Sequence, residues 1–209
     1  MIKKKAVSAL IWSAAGQVGA TGLSTMFVLI FARFVSPEDF GIFAIGSLLA
    51  ALSAHLSGLG LSTALVQRAT FDDDVFSTAF WISVGTATAL AVAITALAGP
   101  IAALFSAVEL GEIVPFMALA MVMANATALL SAILRREMNM KALANRTIAA
   151  NLTSGAVATP LVINGYGAYA LVTQYVIAAG LTLILTIFLT GWRARLQFQR
   201  NIASELLRY

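Results

Sequence analysis

The run from Ile113 to Leu134, IVPFMALAMVMANATALLSAIL, contains no charged residue and is followed at once by Arg135 and Arg136. Roughly 20 apolar residues in a helix cross the ~30 Å hydrocarbon core of a bilayer, so this run has the length and composition of a membrane span. Similar runs lie on both sides of it, with predicted bounds Ser8–Phe34, Gly41–Val66, Phe76–Phe105, about Leu143–Ile163 and Ala168–Thr190. The sequence therefore predicts an all-α integral membrane protein, a six-transmembrane-helix bundle over residues 1–190 followed by a tail over residues 191–209.

The composition supports this prediction. Hydrophobic residues make up 60% of the chain and charged residues 11%, whereas a soluble domain carries roughly 25% charged residues. The net charge of +4 is spread in small groups between apolar runs, which argues against a nucleic-acid partner. Cysteine is absent and histidine occurs once, so we expect no disulfide framework, metal site or cofactor.

The amino terminus resembles a secretory signal peptide, because three lysines precede an apolar run. A signal core spans only about 7 to 15 residues, and the run Ser8–Phe34 is longer than that. We therefore expect an uncleaved first helix.

The basic residues also predict the orientation, because cytoplasmic connectors collect Lys and Arg. Of the 13 Lys and Arg residues, only Arg33 falls on the opposite side. The other twelve are Lys3, Lys4, Lys5, Arg68, Arg135, Arg136, Lys141, Arg146, Arg193, Arg195, Arg200 and Arg208. A missed helix would break this alternation, so we predict six spans with both ends, and the tail, in the cytoplasm.

Several polar side chains fall inside or beside the predicted spans, where each needs a partner or water. Interhelical hydrogen bonding is one interpretation and a hydrated central path is the other. Arg33 either snorkels to lipid headgroups or contacts substrate. The candidate residues of a substrate path are Gln17, Arg33, Arg68, Asn125, Asn151 and Gln174.

Enzyme motifs are scarce. None of the four lysines follows a glycine-rich phosphate loop, so nucleotide hydrolysis is not predicted. Asp72, Asp73 and Asp74 can be interpreted as a Mg²⁺ site of a membrane sugar-phosphate transferase. They can also cap the third helix, whose amino-terminal N–H groups favour carboxylates. We favour the capping interpretation and predict no catalytic residue.

Four stretches carry a resemblance to a known family. They are ARFVSPEDFG (residues 32–41), GLGLSTALVQR (58–68), LRREMNMKALA (134–144) and the turn GYGAYALV (165–172). In order and spacing they resemble the polysaccharide, or oligosaccharide-lipid, flippases of the multidrug/oligosaccharidyl-lipid/polysaccharide exporter superfamily. Related lipid II flippases place an arginine within the first helix, where this chain has Gln17 and a terminal Arg33.

The resemblance implies that the chain is one lobe of a two-lobe flippase, since family members are about twice as long. A fragment, a truncated reading frame and a dimerising half are all compatible with it. The implied function is translocation of an undecaprenyl-diphosphate-linked oligosaccharide across the bacterial inner membrane for surface polysaccharide biosynthesis, O-antigen or exopolysaccharide.

The implied partners are the lipid-linked oligosaccharide, membrane lipid, a second lobe or second copy, and the polysaccharide polymerase machinery. Energy would come from an ion gradient or from downstream polymerisation. A drug or cation exporter of the same superfamily is the alternative, but it would be favoured by intramembrane carboxylates, and the six predicted spans contain none.

Overall fold

The computed structural model describes the backbone of residues 2–58 and 73–192 and the side chains of residues 9–52 and 74–192. The described residues form helices and no strand. The helices are α1 (Ile2–Phe31), α2 (Pro37–Gly58), α3 (Asp73–Ala96), α4 (Ala98–Leu104), α5 (Val108–Arg136), α6 (Met140–Ile163) and α7 (Gly167–Thr190). The predicted all-α fold class is confirmed. Arg68 and the tail from Arg193 onward lie outside the described residues.

Four segments of the described chain are long and apolar enough to cross a membrane: Ala9–Phe31, Asp74–Ala96, Val108–Arg136 and Gly167–Thr190. Helix α6 has a similar length but is more polar, because it contains Asn145, Arg146 and Asn151. The apolar helices confirm a multi-pass membrane protein, and the count of six crossings stays a prediction.

The helical run after Asp73 is interrupted at Leu97, close to Gly99-Pro100, where the sequence predicts a bend. Pro100 has no N–H to donate to the preceding turn, and its ring crowds that turn. Helix α4 therefore starts anew at Ala98 and packs against α5, where Gly111 faces Ala102. Pro160, by contrast, lies inside α6 without interrupting it.

Helix α5 is the central element of the described bundle. It packs against α2, α3, α4 and α7, and its large apolar side chains are almost fully enclosed. They include Leu110, Ile113, Met117, Met121, Leu129, Leu130 and Leu134. Gly46 of α2 lies directly against Met117, so a small residue allows α2 to approach closely.

Helix α1 lies at the edge of the bundle and packs mainly on α6. A Cβ atom added to Gly16 would lie 2.5 Å from the Cβ of Ala144, and Gly155 leaves room for the buried ring of Phe27. Small residues therefore set the distance between the two helices. No other described helix packs extensively on the rest of the α1 surface, and the candidate site lies on that surface.

Candidate functional site

An open groove of about 950 Å³ runs along one face of α1 and continues past its end. Its lining residues form two rows at helical spacing. They are Gln17, Val18, Thr21, Gly22, Thr25, Met26, Leu29, Ile30, Arg33 and Phe34. The face that packs on α6, through Gly16 and Phe27, points another way. The groove is therefore a separate surface of the same helix.

A polar stripe follows this groove at four-residue intervals, with Gln17, Thr21, Thr25 and, beyond Leu29, Arg33. All four polar side chains are exposed, and none has a hydrogen-bond partner in the described parts of the chain. Lipid tails offer no such partner, so a polar stripe is favoured only against water, a polar ligand or another protein surface.

The chemistry of the stripe suits a ligand that carries both hydroxyl groups and negative charge. The amide and the two hydroxyls both donate and accept hydrogen bonds. The guanidinium of Arg33, at the end of the groove, binds phosphate or carboxylate through charge-assisted hydrogen bonds. None of the four stripe residues is paired with a catalytic base in the described chain.

The structure brings together two of the six predicted path residues, Gln17 and Arg33, and leaves the described others elsewhere. Asn125 is buried in α5 and donates a 3.0 Å hydrogen bond to the carbonyl of Met121. Asn151 and Gln174 are half-buried on α6 and α7 and do not line the groove. Arg68 lies outside the described residues. The path through all six residues stays a prediction.

Arg146 is an interior residue, although its position in the sequence groups it with the basic connector residues. It lies inside α6 and is half-buried. Its Nη1 donates to Ser131 Oγ of α5 at 2.9 Å and to Thr186 Oγ1 of α7. Both hydroxyls in turn donate to the carbonyl four residues earlier in their own helices. One guanidinium therefore joins three helices.

Two contacts hold the opposite end of the bundle together. Asp39 Oδ1 accepts a 3.0 Å hydrogen bond from the backbone N–H of Ala168, at the start of α7. Tyr169 donates to Glu112 Oε2 and so links α7 to α5. Polar residues in the first turns of α2 and α5 therefore fix the first turn of α7 against its neighbours.

The acidic run near α3 is only partly described. Helix α3 begins at Asp73, so Asp73 and Asp74 lie in its first turn, where the capping interpretation needs them. Asp72 and the side chain of Asp73 lie outside the described residues, so neither the capping nor the Mg²⁺ interpretation is tested. Among the described residues, no group of three or more acidic, cysteine or histidine side chains is placed to hold a metal ion.

Comparison with known proteins gives two curated relatives. The succinoglycan biosynthesis transport protein ExoT of Rhizobium meliloti (strain 1021) is 27% identical over 168 residues, which cover 80% of this chain and 34% of ExoT. The lipopolysaccharide biosynthesis protein WzxC of Escherichia coli (strain K12) is 26% identical over 121 residues, which cover 58% of this chain and 25% of WzxC. The matched regions thus span about a third or less of either relative. No solved structure matches the chain.

A family match covers most of the sequence. Residues 30–209 match the family described as "Polysaccharide biosynthesis protein", and this region includes every stretch that carried the resemblance. With that match, and with its apolar helices, the chain belongs to the polysaccharide biosynthesis protein family of membrane proteins.

Proposed function

We propose that the chain is one lobe of a flippase that moves an undecaprenyl-diphosphate-linked oligosaccharide across the bacterial inner membrane for surface polysaccharide assembly. The family match and the word "transport" in the name of ExoT support the transport function. The observation that carries the proposal is the polar stripe along the α1 groove, whose side chains have no hydrogen-bond partner among the described residues. No covalent chemistry is required.

The cargo has a large polar headgroup and an apolar tail, and the groove suits both. Gln17, Thr21 and Thr25 offer hydrogen bonds to sugar hydroxyls, and Arg33 offers charge to phosphate. The apolar residues between them keep the groove compatible with a lipid tail. Polar residues that line a cavity between helices are how membrane transporters shelter such cargo.

A second lobe would complete the cavity by facing the α1 groove, either as the rest of a longer polypeptide or as a second copy of this chain. The proposed topology has the amino and carboxyl ends in the cytoplasm, with residues 1–190 as the lobe and residues 191–209 as a tail or linker. The polymerase machinery would take the exported repeat units from the outer leaflet.

The test is complementation in a deletion strain. Loss of the gene should cause lipid-linked repeat units to accumulate, and the intact gene should relieve that accumulation. In the same gene, a Gln17→Leu, Thr25→Val double variant should restore export at least roughly fivefold less well, since each lost hydrogen bond weakens binding by about 0.5–1.5 kcal/mol. A Ser13→Val, Ser24→Val variant is the matched control, because both serines are exposed on α1 outside the groove. Normal surface polysaccharide in the deletion strain would refute the proposal.

A further inference from the structure

Helix α4 extends an apolar stretch beyond the length that a membrane span needs. Helix α3 has 24 residues, about 36 Å at the helical rise of 1.5 Å per residue, which is enough to cross the ~30 Å hydrocarbon core. The chain nevertheless contains no charged residue over positions 75–108. The uncharged stretch therefore continues from α3 through α4 to the first residue of α5.

The packing of α4 on α5 gives its level relative to the membrane. A Cβ atom added to Gly111 would lie 3.4 Å from the Cβ of Ala102 and 3.8 Å from the carbonyl oxygen of Ala98. Helix α4 therefore lies beside the first turns of α5. These turns carry Glu109 and Glu112, which are both exposed, and hydrocarbon strongly disfavours a carboxylate. We therefore place α4 at the membrane–water interface.

Two further features agree with this level. Tyr169 is exposed at the start of α7 and donates a hydrogen bond to Glu112 Oε2, and tyrosine is enriched at membrane–water interfaces. Between Glu112 and Arg135, residues 113–134 contain no charge and have the length of one crossing. Glu112 and Arg135 thus mark the two interfaces, and α4 lies at the one opposite the basic connector.

The chain between α4 and α5 forms an ordered turn. The Ala107 N–H donates to the Ala102 carbonyl at 3.0 Å, and the Ser106 N–H donates to the Ala103 carbonyl at 3.2 Å. Ser106 has a φ of +53°. Together these are the hydrogen bonds and the left-handed residue of a Schellman motif, which closes the end of a helix. The turn therefore presents its side chains in a defined direction.

Three large apolar side chains are exposed at this turn, Leu104, Phe105 and Val108, and we call them the α4 tip. Leu104 is 80% exposed and Val108 81%, the highest values among the large apolar side chains of the described chain. Exposed apolar patches of this kind mark contacts with a membrane or a protein. Leu97, directly before α4, is also exposed, so the tip continues the apolar surface of a span. This continuity favours lipid as the partner.

We propose that the α4 tip inserts into the membrane–water interface of the leaflet opposite the basic connector, among the lipid headgroups and the upper acyl chains. An apolar helix surface is stable at that boundary. In the proposed topology this is the periplasmic leaflet. The inference goes beyond the proposed function, since it involves neither the α1 groove nor the cargo. The tip, held by the closed turn, anchors the connection between α3 and α5 at a fixed depth.

The experiment uses nitroxide labels on the full chain in phospholipid vesicles. The chain contains no cysteine, so Leu104→Cys and Val108→Cys each place one label on the tip. Collisions of the label with oxygen, which concentrates in lipid, are compared with collisions with a water-soluble nickel chelate. Leu119→Cys, exposed on α5 within the uncharged run, is the lipid reference. Asn164→Cys, exposed in the connector between α6 and α7, is the water reference at the same end of the bundle.

We expect both tip labels to give an oxygen-to-nickel collision ratio well above that of Asn164→Cys and closer to that of Leu119→Cys. The two tip variants report separately, so one that does not fold leaves the other to decide. A ratio equal to that of Asn164→Cys would place the tip in water and overturn the inference. The same labels are then measured in native membranes. Protection there from both reagents, with access in vesicles, would assign the tip to a protein partner and overturn the inference as well.

Discussion

Asp39 shows how one carboxylate supports two helices. Its Oδ2 accepts a 2.6 Å hydrogen bond from Ser36 Oγ, and its own N–H donates to that hydroxyl at 3.1 Å, which caps the start of α2. Its Oδ1 accepts from Ala168 N–H at the start of α7. A negative charge is favourable at both positions because the amino ends of helices are partly positive. Asp39 therefore links the first turns of two helices that are distant in sequence.

Replacing Asp39 should show this double role. The Asp39→Ala variant loses two hydrogen bonds accepted by the carboxylate, one from Ser36 Oγ and one from the Ala168 N–H, and we expect a loss of about 1–2 kcal/mol in stability. Asp39→Asn keeps an oxygen acceptor and should lose less. Melting of the detergent-solubilised chain measures both changes, with Glu38→Ala as the control in the same turn. Equal melting temperatures for Asp39→Ala and Glu38→Ala would contradict the assignment.

Gly167 offers a second test of the same contact. It has a φ of +50°, and a Cβ atom there would lie 2.6 Å from Asp39 Oδ1. Gly165 also has a positive φ, of +79°, but has open space around it. Replacing either glycine by alanine should lower the stability by about 1 kcal/mol, because the positive φ favours glycine. The loss of stability should be larger at Gly167. The additional loss of stability at Gly167 over Gly165 should become smaller when Asp39 is also replaced by alanine. If that difference stays the same, the Asp39 carboxylate is not its cause.

The sequence identified Gln17 and Arg33 as polar side chains of the predicted first span, but it did not place them in one groove. They are sixteen positions apart, and at 3.6 residues per turn this spacing corresponds to a rotation of about 160° around an ideal helix. The position of Arg146 depends on which helices pack around α6, and a single sequence does not contain that pairing. The sequence does contain a pattern that indicates partners for an interior cation. Two apolar spans each carry hydroxyl side chains one helical turn apart, Thr127 with Ser131 and Thr182 with Thr186.

Helix α1 depends on small residues for its place in the bundle. It packs mainly on α6, where Gly16 faces Ala144 and Gly155 accommodates Phe27. Small residues allow helices to approach closely, and Gly16 and Gly46 lie at such contacts, against Ala144 and Met117. The sequence does not say which helix packs on the small residues of α1. In the structure that helix is α6, and this choice depends on how the whole bundle packs.

Enlarging Gly16 should separate these two helices. Gly16→Leu adds a side chain where even a Cβ is too close to Ala144, and overpacking of this kind costs about 1–3 kcal/mol. Gly85→Leu on α3 is the control, because nothing lies within 4 Å of a Cβ at that position. Protease sensitivity of the chain in membranes should rise for Gly16→Leu only. The same rise in both variants would argue against close α1–α6 packing.

The described helices are held together differently at the two ends of the bundle. Arg146 joins three helices near the basic connector, Asp39 and Tyr169 hold the start of α7, and no described residue outside α1 and its carboxyl end lines the α1 groove. Its unpartnered polar stripe should lead an isolated chain to self-associate or to be degraded. Cross-linking in membranes should therefore trap a dimer, and a co-expressed second lobe should restore export. Export restored by this chain as a demonstrated monomer would contradict the two-lobe proposal.

The proposed topology can be tested without knowing the cargo. Reporter fusions after Tyr209 and within Arg135–Arg146 should report the cytoplasm, because the connectors rich in Lys and Arg stay inside. Fusions near Ser36, Gly111 and Gly165 should report the periplasm. A periplasmic reporter after Tyr209 would contradict an even number of spans with the amino terminus inside.

The central claim, that the α1 groove faces a hydrated transport path, is tested most directly by cysteine labelling in native membranes. The chain contains no cysteine, so Thr25→Cys introduces a single thiol in the groove, and Val28→Cys introduces one that is exposed on α1 outside it. A water-soluble maleimide should label Thr25→Cys much faster than Val28→Cys, and lipid-linked oligosaccharide should slow only the first reaction. Equal labelling of the two positions, or labelling of Thr25→Cys that the cargo does not affect, would contradict the claim.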